Sequence, residues 1–205
     1  MKKFKIKSYC KINLNLRVLK KLNNGYHSIS SLITFAELYD RISISKTNKT
    51  KDAISFSGRF KKGINKKKNT ILKLLNLLRQ NKILNHQMFK IDIEKNIPHG
   101  SGLGGGSSNA AALLNYLNLK MKMNLNKKQL QILAYKIGFD VPINLEKKNT
   151  FLTGKNRIIR ISQNFRLNLL IVYPGIICST KKIYKNNKKY ISKRVPSLFK
   201  KKRIK

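Results

Sequence analysis

Acidic residues are what this chain most lacks: its 205 residues hold 7 Asp and Glu against 46 Lys and Arg, a formal charge of +39. Tryptophan is absent, and proline occurs only four times. The two cysteines, Cys10 and Cys178, are too few for a disulfide framework and have no metal-ligand spacing, so a reducing cytoplasm is the expected location. No apolar run approaches the roughly 20 residues that cross a bilayer, and lysines interrupt residues 1–7 where a secretory segment would lie. Neither a membrane protein nor an exported one is expected. The basic excess runs along the whole chain, densest over 61–68 and 181–205, without the interleaved aromatic side chains that stack on bases. Lysine, asparagine and isoleucine are abundant together, as in a codon-biased surface, so the charge alone does not argue for a nucleic-acid partner.

Glycine is scarce too, 11 residues in all, yet five of them fall within 100–106. A strand feeds this cluster, because Phe89, Ile91 and Ile93 alternate with Lys90, Asp92 and Glu94. A helix leaves it, because Ala111, Leu114 and Leu117 recur at helical spacing. Backbone N–H groups at a helix start are unpaired and carry partial positive charge, so a glycine loop just before one makes an anion site. Gly100, Gly102 and Gly105 match the G-x-G-x-x-G pattern, but no acidic residue occurs between Glu94 and Asp140 to hold a ribose. Gly106 stands where a P-loop requires lysine, which excludes that motif also.

Around the loop, Cys10 to Val18 alternate as one half-buried strand, Asn23-Asn24-Gly25 reads as a turn, and short β runs follow at Ile42 to Ser45 and Ala53 to Phe56. Asn69 or Thr70 caps a helix bearing Ile71, Leu74, Leu75 and Leu78. Asn126 caps another bearing Leu130, Leu133, Ala134 and Ile137. Strands are expected at Thr150 to Thr153, Arg157 to Ile161 and Leu167 to Tyr173. With 41% hydrophobic residues a core is assured, and the mixture without a clean βαβ repeat predicts an α+β layer fold.

The stretch "PHGSGLGGGSSNAA" resembles the P-x-G-G-G-L-G-G-G-S-S-N-A-A signature of the GHMP kinases. Three further stretches agree in order and spacing: "CKINLNLRVL", "NNGYHSISSL" and "KIGFDVPINL" resemble the family's A-K-I-N-L-x-L-x-V, D-G-Y-H-x-L-x-S/T-L and L-G-A-D-V-P-F-F-L. The likeness runs from about Lys7 to Tyr184. It implies the GHMP kinase N-terminal domain, of the ribosomal protein S5 domain 2-like fold, over residues 1–184, followed by a basic tail over 185–205 expected to be disordered. The branch it resembles phosphorylates a cytidine diphosphate-linked methylerythritol with ATP and Mg2+ in non-mevalonate isoprenoid precursor synthesis.

By this resemblance Asp140 is the base for the substrate hydroxyl and Lys11 its partner at the transferring phosphoryl group. Pro98, Gly100, Ser101, Gly102, Leu103, Gly104, Gly105, Gly106, Ser107 and Ser108 hold the phosphates of ATP. Ser107 is the candidate magnesium ligand, with helix capping as the other reading of both serines, and Asn69 either touches adenine or caps its helix. Asn13, Tyr26, His27 and Tyr184 are assigned to the cytidine-bearing substrate. Two departures stand out: Ser101 replaces a glycine, and no G-T/S-G-x-x-x-F motif follows Tyr184, so the family's C-terminal domain is expected to be largely absent. A second copy of the chain or another protein would then cover the open side. Two non-kinase readings remain beside this one, a nucleotide-binding remnant without catalysis and a basic nucleic-acid-binding protein.

Overall fold

The computed structural model describes residues 2–23, 25, 27–154, 157–162, 167–178, 183–184, 186–187 and 190. Among the described residues, seven strands and three helices follow one another as β1 (Phe4–Asn13), β2 (Arg17–Lys21), β3 (His27–Thr47), β4 (Ala53–Ser57), α1 (Thr70–Gln80), β5 (Met88–Glu94), α2 (Gly105–Lys120), α3 (Lys127–Ile137), β6 (Thr150–Thr153) and β7 (Arg157–Arg160). A 3-10 turn, Pro142–Leu145, lies between α3 and β6. The 21-residue β3 organises the sheet, since it is long enough to pair with β1, β2, β5 and β6 along different parts of its length. The order is β4-β5-β3-β6-β7, with β4 and β5 parallel and the remaining pairs antiparallel.

The helices cover one face of this sheet. Ile42 and Ile44 of β3 and Ile91 and Ile93 of β5 meet Leu74 and Leu78 of α1, all 2% exposed or less. Each such burial contributes roughly 1.5–3 kcal/mol. Both predicted caps form: Asn69 accepts from Ile71 and Leu72 N–H, and Asn126 with Gln129 makes a capping box.

Three sequence expectations change. The alternation over Cys10 to Val18 is two strands, because the chain leaves β1 after Asn13 and re-enters as β2 at Arg17, leaving Leu16 about half exposed. The short run at Ile42 to Ser45 is the end of β3. Residues 167–178 form no strand, although Leu167 to Tyr173 has the composition of one. A strand needs a partner edge, and among the described residues none pairs with this segment. The expected tail over 185–205 lies outside the described residues except for Asn186, Asn187 and Tyr190.

Candidate active site

The register of β1 against β3 jumps between Tyr9 opposite Tyr39 and Lys11 opposite Phe35. Such a bulge re-aims the side chains that follow it. Lys11 is turned inward, 5% exposed, and its backbone N–H donates to Leu103 O at 3.0 Å, tying β1 to the glycine loop. Its ammonium donates to Asn13 Oδ1 at 2.7 Å and to Gly102 O at 3.5 Å, and lies 3.4 Å from Asp140 Oδ2. A base candidate, a cation and the loop carbonyl thus converge on one point.

Asp140 is placed by the turn that follows it. Asn144 Nδ2 donates to Asp140 O at 2.6 Å, and Arg160 of β7 donates to Pro142 O at 3.0 Å and Ile143 O at 2.8 Å. These carbonyls would otherwise lack partners at the end of a short helix. Burial lowers the Arg160 guanidinium, while Glu146 and Tyr135 counter that. The Asp140 side chain remains 45% exposed, open to a substrate.

The residues assigned to the cytidine-bearing substrate by resemblance have these contacts. Asn13 Nδ2 donates to Ser31 Oγ at 2.7 Å, and the Ser31 hydroxyl donates to Asn15 O at 2.5 Å. The His27 ring stacks on Tyr184 at 5.3 Å between centroids and on Tyr190 at 6.4 Å. Burial and then the charge of Asp140 raise the Tyr184 phenol, so Tyr184 reaches into the same field. Tyr26 lies outside the described residues.

The glycine loop divides by role. Gly104 has φ of 70° and precedes α2 as its N-cap, and a Cβ there would meet Lys11 Cγ at 2.8 Å. A Cβ on Gly100 would meet Ile177 Cγ2 at 2.5 Å, where Cys178 N–H also donates to Gly100 O at 3.0 Å. Gly105 is closed off by Ile97 at 3.1 Å. These three glycines answer to protein packing. Gly102 and Gly106 do not: a Cβ on Gly102, whose φ is 79°, would meet nothing within 4 Å, and one on Gly106 would meet only Thr70, at 3.6 Å. Ser101, at the departure from the family pattern, keeps ordinary φ and donates to the carbonyl of buried Pro98 at 2.8 Å.

Two candidates are engaged within the protein, Ser108 in the core and Asn69 in the capping reading already open to it. Ser108 turns into the core, donating to Tyr9 O at 2.5 Å and accepting from Ser8 at 2.9 Å, so its hydroxyl is not offered to a phosphate. Asn69 spends its whole amide on the cap, since Nδ2 donates to Asn65 O and Lys66 O while Oδ1 takes two N–H groups. Ser107, in the first turn of α2, has no side-chain hydrogen bond among the described residues. A cavity of about 530 Å³ lies on the other side of α2, lined by Phe4, Tyr9, Tyr116 and Lys147, and contains neither Lys11 nor Asp140. Thr70, Ser31 and Arg160 were not legible as site residues, because their roles depend on partners 15 or more positions away.

Residues 69–146 match the GHMP kinases N terminal domain, and the fold is that of a GHMP kinase N-terminal domain. The chain is 41% identical over 184 residues to a 4-diphosphocytidyl-2-C-methyl-D-erythritol kinase of Pelagibacter ubique, covering 90% of itself and 65% of that protein. A kinase of the same name from Caldanaerobacter subterraneus is 35% identical, with 89% of this chain and 62% of the relative covered. Among solved structures, a 4-(cytidine 5'-diphospho)-2C-methyl-D-erythritol kinase superposes with a TM-score of 0.62 at 26% identity, over 78% of this chain and 56% of that one. The chain therefore spans less than two thirds of the length of these relatives.

Proposed function

We propose that this chain is the phosphate-binding and catalytic lobe of a kinase that transfers the γ-phosphoryl group of ATP to a hydroxyl of 4-diphosphocytidyl-2-C-methyl-D-erythritol, in isoprenoid precursor synthesis. One observation carries the reading: Lys11 Nζ lies within 3.5 Å of both the Asp140 carboxylate and the Gly102 carbonyl of the loop. Asp140 accepts the proton of the attacking hydroxyl. Lys11 faces the transferring group and stabilises the charge that builds on it. The open glycines, Gly102 and Gly106, let the backbone approach the phosphates. Asn13 orients the acceptor alcohol, while His27 and Tyr184 offer flat faces to the pyrimidine, with Tyr26 preceding His27 in the sequence.

The residues present also fit a magnesium ion. Among the described residues no three acidic, histidine or cysteine side chains cluster as a metal cage. Mg2+ binds instead through few protein oxygens plus substrate phosphates and water, and the Ser107 hydroxyl supplies one such oxygen. The ion would neutralise phosphate charge as the bond breaks. A cytoplasmic location belongs to the same proposal and is supported by two free cysteines. Among the described residues no helix is long and apolar enough to cross a membrane. The exposed side chains of Leu170, Val172, Ile176 and Ile177 support a further protein surface packing on that side.

The test is a phosphoryl-transfer assay of the purified chain with magnesium ATP and the cytidine diphosphate-linked alcohol, set against mevalonate, homoserine and galactose. Phosphorylation confined to the cytidine-bearing substrate is expected. Equal transfer to the other alcohols would overturn the substrate assignment, and ATP binding without transfer to any of them would leave a nucleotide-binding protein.

A further inference from the structure

Asp40 and Lys95 form an ion pair that the chemistry above does not use. Asp40 is fully buried and Lys95 is 4% exposed. Asp40 Oδ1 accepts the N–H groups of Asn96 and Ile97, each at 2.8 Å, and Oδ2 faces the Lys95 ammonium. The Lys95 backbone is fixed as well, donating to Ser57 O at 2.8 Å and accepting from Phe60 N–H at 3.1 Å. Its side chain runs under the glycine loop. Nζ comes within 3.2 Å of the point where a Cβ on Gly105 would sit, so a buried cation rests against the first residue of α2.

Elementary electrostatics makes this a poor place for a lysine. A helix N-terminus carries partial positive charge and is stabilised by anions, not cations. Withdrawing an ion pair from water also tends to cost more than its attraction returns, and an apolar pair of similar volume would serve the fold as well. The arrangement makes sense once the first turn of α2 holds an anion, because that anion then meets a fixed positive charge in a region of low dielectric.

Resting on the nucleotide-binding reading, we propose that Lys95 is a second cation of the phosphate site, set beneath the loop where Lys11 approaches from β1. It acts through the short, poorly screened distance across Gly105, without touching the ligand. Asp40 is its positioning residue. It holds Lys95 in the absence of ligand, and through Asn96 and Ile97 it fixes the direction in which the chain enters the loop.

The deciding variant is the double substitution Lys95→Gln with Asp40→Asn, which keeps a hydrogen-bonded pair and the acceptor for both backbone N–H groups while removing both charges. Binding of ATP, inorganic triphosphate and adenosine is measured by calorimetry on the whole chain, alongside a melting curve. The double variant is expected to melt at or above the parent temperature and to bind ATP and triphosphate at least about 10-fold more weakly, with adenosine unchanged. Parental affinity for both phosphates in the double variant overturns the proposal. So does an equal loss for adenosine, which would mean a displaced loop, and so does a variant that fails to fold, which would mean that the pair stabilises the fold itself. A parent chain that binds neither phosphate removes the nucleotide reading, and this inference with it, before any variant is made.

Discussion

Replacing Gly106 with alanine separates what the protein needs from what a ligand needs. At Gly100, Gly104 and Gly105 a new methyl group would collide with Ile177, Lys11 or Ile97, so loss of binding there would report damage to the loop. Gly106 is exposed, its φ is not left-handed, and a Cβ would find only Thr70 Oγ1 at 3.6 Å, an ordinary contact. The free protein should therefore tolerate Gly106→Ala, and in a helix the change stabilises by up to about 0.5–1 kcal/mol. With phosphate seated on the first turn of α2, the same methyl group occupies the approach path. Losing one hydrogen bond to a charged group costs about 1.5–3 kcal/mol, or roughly 10- to 100-fold in affinity. Calorimetry with ATP, with adenosine as control, and a melting curve of the free chain measure the two effects separately. A folded Gly106→Ala protein with parental ATP affinity would refute the placement of the phosphates.

Other perturbations probe the remaining parts. Asp140→Asn keeps size and the Asn144 contact to the backbone but removes the base, and should lower turnover by roughly 10²-fold or more with ATP affinity little changed; wild-type turnover would remove Asp140 from the chemistry. Lys11→Met should depress turnover more than ground-state nucleotide affinity, because its charge matters most as the phosphoryl group transfers; a change in affinity alone would reassign it. His27→Ala loses its stack on Tyr184 and should weaken the cytidine-bearing substrate by about 1–3 kcal/mol while sparing ATP; equal weakening of both would point to a damaged fold. Burial raises the Glu146 carboxyl, but the hydrogen bond from Lys127 and the charges of Arg160, Lys127 and Lys148 together carry it below its ordinary value. A carboxylate lowered on folding adds stability that is complete above its unfolded value and is lost as pH falls through the folded one. Glu146→Gln should therefore flatten acid-side melting curves, and an unchanged acid limb would mean these partners do not act on it.

Local pattern carried the elements that repeat within a few residues. The i, i+3, i+4 spacing of Ile71, Leu74, Leu75 and Leu78 and the caps at Asn69 and Asn126 depend on neighbours within one or two turns, and all are present. The strand at Phe89 to Ile93 and that at Thr150 to Thr153 were equally plain. What escaped was anything decided by a distant partner. Leu167 to Tyr173 has strand composition but meets no edge among the described residues, and β3 continues through Ser30 and Ser31 because β2 and β6 pair there, not because its sequence alternates cleanly.

The same distinction explains why the site was readable as a set of residues but not as a division of labour. Clustered glycines declare that the backbone passes close to something, and they do not say to what. Of the five, Gly100, Gly104 and Gly105 are close to Ile177, Lys11 and Ile97, residues 77 positions onward, 93 back and 8 back in the chain, and only Gly102 and Gly106 keep open space. Two adjacent serines look alike in sequence, yet helical rotation turns Ser108, and not Ser107, to Tyr9 and Ser8. Asp40 carried no signal at all, since with Glu37 three residues before it and Arg41 beside it the acid reads as part of a charged surface. A buried carboxylate requires partners, but nothing in the sequence marks Asp40 as buried. Only the fold could answer that its partner lies 55 residues away, under the first turn of α2.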